Sequence, residues 1–158
     1  MASPEVGSRA PEVELAGLVL VDGEAVTSTY RLSDVDGPVV LVFYPGDATP
    51  VCTKQLCSYN SGLEEFTALG ATVWGISTQD LASHESFAKR FDLTMPLLAD
   101  PDKKAVRAYG LARLGGLVTA RSVFVVDAGG VVRYRDVRSV GLTFQDRAGL
   151  VAAVSALV

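Results

Sequence analysis

The chain has 158 residues, 49% hydrophobic and 20% charged, the make-up of an ordinary folded domain long enough to bury a core. Its net charge of -4 and pI near 4.9, with no Lys/Arg cluster, argue against a nucleic-acid partner. No apolar run approaches the roughly 18 residues of a spanning helix, and Met1 to Pro11 lacks a basic-then-apolar leader, so no membrane association is expected and a cytoplasmic location is the default.

Residues 1–10 read as a loose N-terminus to one domain covering 1–158. Val13 to Leu15, Leu18 to Val21 and Ala25 to Tyr30 read as short strands, with Asp22-Gly23-Glu24 turning a hairpin. Leu32 to Val35 reads as a turn. Val39-Val40-Leu41-Val42-Phe43-Tyr44, bounded by Asp36-Gly37-Pro38 and Pro45-Gly46-Asp47, has the small and β-branched composition of a central strand. A helix follows from Pro50 toward Leu69 and ends at Gly70; its middle, Ser58 to Gly62, is made largely of weak helix formers, so a kink is expected just after Cys57. Ala71 to Ser77 is a second buried strand, and Leu81 to Phe91 has helical spacing. Pro96 to Ala99 is a short strand, Asp100-Pro101-Asp102 a cap and turn, and Lys103 to Tyr109 a helix closed by Gly110. Arg121 to Asp127 and Val131 to Asp136 form a hairpin around Ala128-Gly129-Gly130, and Gln145 to Leu157 is an amphipathic helix. Strands alternating with helices and ending in a hairpin predict an α/β fold, a central mixed β-sheet flanked by helices, with the N-terminal β-hairpin at its start.

The two cysteines of the chain, Cys52 and Cys57, both fall in the first helix. Thr49 suits the N-cap, where its hydroxyl can accept from a first-turn amide, and Pro50 suits the first helical position. Cys52 is then the third helical residue, among unpaired N–H groups at the positive end of the helix dipole, a setting that makes a thiol reactive. Attack of its thiolate on a peroxide would leave a sulfenic acid. Five helical positions separate two Cα atoms by roughly 8–9 Å, whereas a disulfide needs them within about 7 Å. Cys52 and Cys57 therefore pair only if the helix unwinds, which favours a switchable pair over a static bridge. The helix end supplies about half a unit of charge, so a fixed cation near Cys52 is still needed.

Pro45-Gly46-Asp47-Ala48-Thr49-Pro50-Val51-Cys52 matches the Pro-x-x-x-Thr-x-x-Cys motif of peroxiredoxins. With Phe43-Tyr44-Pro45, Cys57, Pro96 to Asp100, Ala108-Tyr109-Gly110 and Arg121 to Asp127, the chain resembles the Q-type branch, also called bacterioferritin comigratory protein, over roughly residues 4 to 140. The resemblance implies a thioredoxin-like fold and a thiol peroxidase acting on hydrogen peroxide and organic hydroperoxides. It makes Cys52 the peroxidatic and Cys57 the resolving cysteine, the two joining in an intrachain disulfide that thioredoxin or a glutaredoxin-like dithiol protein reduces. Thr49 would hydrogen-bond the thiolate and the peroxide, Pro45 would shield the pocket, and Arg121 would be the missing cation. The amides of Val51 and Cys52 would complete the donor set, and Gln55 would hold Arg121. No metal or organic cofactor is implied, and a monomer is expected over a homodimer. Asn60 and Met95 depart from residues frequent in relatives.

His84 reads as a surface helix residue, and one His with two Cys is too few for a structural zinc site. Trp74, Phe43 and Tyr44 read as core or pocket wall, and Arg133, Arg135 and Arg138 as solvated charges. Two other functions fit a reactive Cys52: a redox sensor without turnover, and a disulfide oxidoreductase. The C-x4-C spacing weakens the second.

Overall fold

The computed structural model describes residues 2–138 and 143–158; Met1, part of the expected loose terminus, lies outside them, as do residues 139–142. Strand β1 (Glu14–Val21) runs unbroken through Ala16 and Gly17, where the sequence predicts a gap, and pairs antiparallel with β2 (Glu24–Arg31). The unbroken run depends on Gly17, where a Cβ would come within 2.8 Å of the Tyr30 ring and 3.0 Å of the Leu97 carbonyl oxygen. Asp22 and Gly23 both take positive φ, the turn geometry whose twist matches a two-residue hairpin.

Strand β3 (Val39–Phe43) is buried along its whole length and feeds the loop that opens α1 (Pro50–Ser61). The helix predicted from Pro50 to Leu69 is two helices: α1 stops at Gly62, and α2 (Leu63–Ala68) resumes. The kink expected just after Cys57 is not there: Ser58 to Ser61 stay helical, and the break falls at Gly62, the weakest helix former of that run. Strand β4 (Thr72–Ser77) leads to α3 (Leu81–Phe91), which is capped by the Asp80 carboxylate accepting from the Ser83 amide at 2.9 Å and ends at left-handed Asp92. Strand β5 (Leu97–Ala99) and helix α4 (Lys104–Ala108) follow. A small hairpin of β6 (Ala112–Arg113) and β7 (Val118–Thr119) comes next; two-residue strands leave no periodic signal to read. Strands β8 (Arg121–Val126) and β9 (Val132–Arg138) form the expected hairpin, and α5 (Arg147–Ser155) starts where Asp146 accepts from the Gly149 amide at 2.8 Å.

Among the described residues the larger sheet has the order β2-β1-β5-β4-β3-β8-β9, with β3, β4 and β5 parallel and the flanking pairings antiparallel. It is the mixed sheet expected. Alternation along β3 splits the interior in two. Val40, Val42 and Tyr44 face a core shared with Cys52, Leu56, Phe66, Phe87 and Leu150, under α1, α2, α3 and α5. Val39, Leu41 and Phe43 face a second core with Trp74, Val106, Tyr109 and Phe124, under α4.

The N-terminal segment departs from the expected looseness. The Gly7 amide donates to the Val132 carbonyl, the Ala10 amide to that of Gly130, and the Val132 amide to that of Ser8, so residues 7–10 are tied to the β8–β9 hairpin.

Candidate active site

The site lies where β3 ends. Tyr44 and Pro45 carry the chain out of the sheet, Gly46 to Thr49 make the turn, and Pro50 occupies the first position of α1. The buried face of α1 carries Cys52, Gln55, Leu56 and Tyr59, the i, i+3, i+4, i+7 stripe of a helix lying on a core. Arg121 is the first residue of β8, and its neighbour Ser122 pairs with Phe43, so its side chain starts just past the end of β3.

That placement brings Arg121 to Cys52. Both side chains are buried, and the Arg121 Nη2 donates to the Cys52 Sγ at 3.1 Å while Nη1 donates to the Gln55 Oε1 at 2.5 Å. The Gln55 Nε2 in turn donates to the Tyr59 hydroxyl at 3.3 Å, and that hydroxyl donates to the Gln145 carbonyl at the start of α5. The guanidinium thus joins the sulfur to the Gln55 side chain. As first-turn groups, the amides of Val51 and Cys52 have no acceptor inside α1. A buried guanidinium and the N-terminus of α1 therefore both face the sulfur.

Other predicted residues sit differently. Thr49 is the N-cap by position, but its hydroxyl donates to the Gly46 carbonyl at 3.1 Å and makes no capping bond. Pro45 and Val51 are half-buried around the turn. Cys57 is a free thiol like Cys52, lies off the buried face, and has its pKa raised by burial. Asn60, at the end of α1, accepts from the amides of Thr94 and Met95 at 2.8 and 3.1 Å and donates to the Asp92 carbonyl at 3.2 Å. It pins α1 to the α3–β5 loop, and Met95 beyond it is fully buried.

The model of the AhpC/TSA family matches residues 6–135. The chain belongs to the AhpC/TSA family. Within it, the chain is 43% identical over 130 residues to "Peroxiredoxin Q, chloroplastic" of Oryza sativa subsp. japonica, covering 81% of this chain and 57% of that protein. It is 38% identical over 141 residues to the protein of the same name from Triticum aestivum, covering 79% and 65%. The Q-type resemblance is therefore borne out, although the chain spans only about three-fifths of the length of these relatives. Mycobacterium bovis AhpC superposes with a TM-score of 0.88 at 21% identity, covering 99% of this chain and 94% of its own. The reduced 2-Cys peroxiredoxin of Plasmodium vivax does so with 0.86 at 21%, covering 96% and 80%. At that identity they show the fold, which is thioredoxin-like as expected. The default to a cytoplasmic location is corrected: the relatives are named chloroplastic, which contradicts it.

His84 also requires correction. It is fully buried, because it shares the inner face of α3 with Phe87 and Ala88. Its Nδ1 lies 2.6 Å from the Asp47 Oδ2 and its Nε2 lies 2.9 Å from the Leu98 carbonyl oxygen. The spacing Leu81, His84, Phe87, Ala88, Phe91 carried that signal. Asp47, inside the motif, went unremarked because its neighbours Thr49 and Cys52 carry the motif's meaning.

Proposed function

We propose that the protein is a thiol-dependent peroxidase, with Cys52 as the peroxidatic and Cys57 as the resolving cysteine. The observation that carries this reading is the Arg121 guanidinium bonded to the buried Cys52 sulfur at the N-terminus of α1. A thiolate there attacks one oxygen of a hydroperoxide; the O–O bond breaks, Cys52 becomes a sulfenic acid, and the other oxygen leaves as alkoxide or hydroxide that takes a proton to become alcohol or water. The donors that face the sulfur, Arg121 and the first-turn amides, meet the charge that builds on the oxygens in that step. In the resting arrangement the Thr49 proton is given to Gly46, so Thr49 offers its oxygen to the peroxide proton and must release Gly46 to donate.

The Cys57 thiol then attacks the sulfenic sulfur, water departs, and an intrachain disulfide forms. Both residues lie in one helix five positions apart, so α1 unwinds for this step. The half-buried position of Cys57 and the break at Gly62 support local opening at modest cost. A dithiol protein of the thioredoxin or glutaredoxin kind returns both cysteines to thiols.

The test is turnover. Protein, thioredoxin, its reductase and NADPH are mixed, and NADPH loss is followed on addition of peroxide. Sustained consumption that disappears in Cys52→Ser supports the peroxidase. One stoichiometric burst in the wild type would make the protein a redox sensor.

A further inference from the structure

The turn that presents Thr49 and Cys52 hangs on one buried carboxylate. The Asp47 side chain is 3% exposed, although the residue lies in the loop between β3 and α1. Its Oδ1 accepts from the Tyr44 hydroxyl at 2.7 Å, and its Oδ2 accepts from the Ser83 hydroxyl at 2.8 Å and faces the His84 Nδ1 at 2.6 Å. The Asp47 amide donates to the Gln79 Oε1 in the β4–α3 connection. Two elements that carry no peroxidase motif therefore grip the motif from below. The next residue, Ala48, is held at φ 61°, a left-handed conformation that a non-glycine residue leaves unless its neighbours fix it.

Proton counting shows how the grip works. A carbonyl oxygen only accepts, so the His84 Nε2 carries a hydrogen toward Leu98. The Nδ1 faces the Asp47 Oδ2 at 2.6 Å, and the imidazole thereby bridges β5 to the motif loop. The Tyr44 ring, 6.4 Å from that of His84, packs in the same core as Cys52, which connects the network to the sulfur's own wall.

We propose that His84 is a positioning residue for peroxide reduction: through Asp47 it fixes the Gly46–Thr49 turn and with it the placement of Thr49 and Cys52. The inference rests on the peroxidase reading above. It concerns geometry, not charge, so an amide at position 47 should replace the carboxylate. In Asp47→Asn the new carboxamide oxygen can accept from Tyr44, and the carboxamide nitrogen can donate to the bare Nδ1 of a neutral His84 and to the Ser83 oxygen.

The experiment measures two steps separately in wild type, His84→Leu, Asp47→Ala and Asp47→Asn: oxidation of prereduced Cys52 by hydrogen peroxide, and reduction of the oxidised protein by dithiothreitol. Expected is a loss on the order of tenfold or more in the oxidation step for His84→Leu and Asp47→Ala, with the reduction step within about twofold of wild type and Asp47→Asn recovering most of the lost rate. Wild-type oxidation rates in both His84→Leu and Asp47→Ala would overturn the proposal, as would an Asp47→Asn as slow as Asp47→Ala or an equal slowing of both steps. Should His84→Leu not fold, the two Asp47 variants decide alone. Cys52→Ser is the control: if it still consumes peroxide, the peroxidase reading itself fails, whereas an inert Cys52→Ser beside unimpaired Asp47 and His84 variants defeats this inference only.

Discussion

The Arg121 Nη2 donates to the Cys52 Sγ across 3.1 Å, joining the first residue of β8 to the first turn of α1, 69 positions apart in sequence. Neither element could make the site alone. The helix end supplies a partial charge that fades within a turn, and the guanidinium adds a full charge with fork geometry.

Replacing Arg121 by Met removes that charge and takes the Nη1 donor from the Gln55 Oε1. Oxidation of Cys52 by hydrogen peroxide should slow by about 10²-fold, the size of loss seen when one preorganised donor is deleted from an active site. Gln55→Ala should slow it less, because the sulfur contact survives. Stopped-flow oxidation rates for the two variants check the order.

Burial raises the Cys57 thiol above its ordinary pKa, so at neutral pH it is protonated and a poor nucleophile while α1 is folded. Alkylation of Cys57 by iodoacetamide in reduced Cys52→Ser protein should therefore be slower than that of free cysteine at pH 8 and climb with pH. Peptide mass spectrometry reads it directly. A rate equal to free cysteine would mean that α1 is already open.

Asn60 ties α1 to the α3–β5 loop through two amides and a carbonyl. Asn60→Ala should destabilise the fold by about 0.5–1.5 kcal/mol, because the exposed Thr94 amide can turn to water and only the part-buried Met95 amide is left short of an acceptor. Urea unfolding measures that shift.

Asp127 is held below its ordinary carboxylate pKa of 3.8, first by the Val131 amide and then by Arg133, whose Nε donates to the Oδ2 at 2.7 Å. A depressed folded-state value contributes stability that is present above the unfolded pKa and lost as pH falls through the folded one. Wild type should therefore lose more melting temperature than Asp127→Asn below about pH 4. Parallel melting curves for the two proteins in that range would remove Asp127 from the acid response.

Much of this was legible in the sequence, since its strong signals are local. The all-apolar run Val39–Phe43 and Pro50 at a helix start each act within a few residues. Arg121 could be placed only through resemblance, because its partner lies 69 positions away. Gly17 was hidden because its role depends on the Tyr30 ring across the hairpin. His84 was misread because a polar residue on an amphipathic helix is usually solvated, and its actual partners, Asp47 and Leu98, come from a loop and a strand that only the fold brings near. The β6–β7 hairpin is too short to show a period.

Peroxide reduction is proposed to rest on the Cys52 sulfur, held by Arg121 at the N-terminal end of α1. Rapid mixing of prereduced protein with hydrogen peroxide tests it most directly. Oxidation of Cys52 should be faster than that of free cysteine at the same pH by about 10³-fold or more, with most of that advantage gone in Arg121→Met. A wild-type rate no greater than that of free cysteine, or an advantage untouched by removal of the guanidinium, would contradict it.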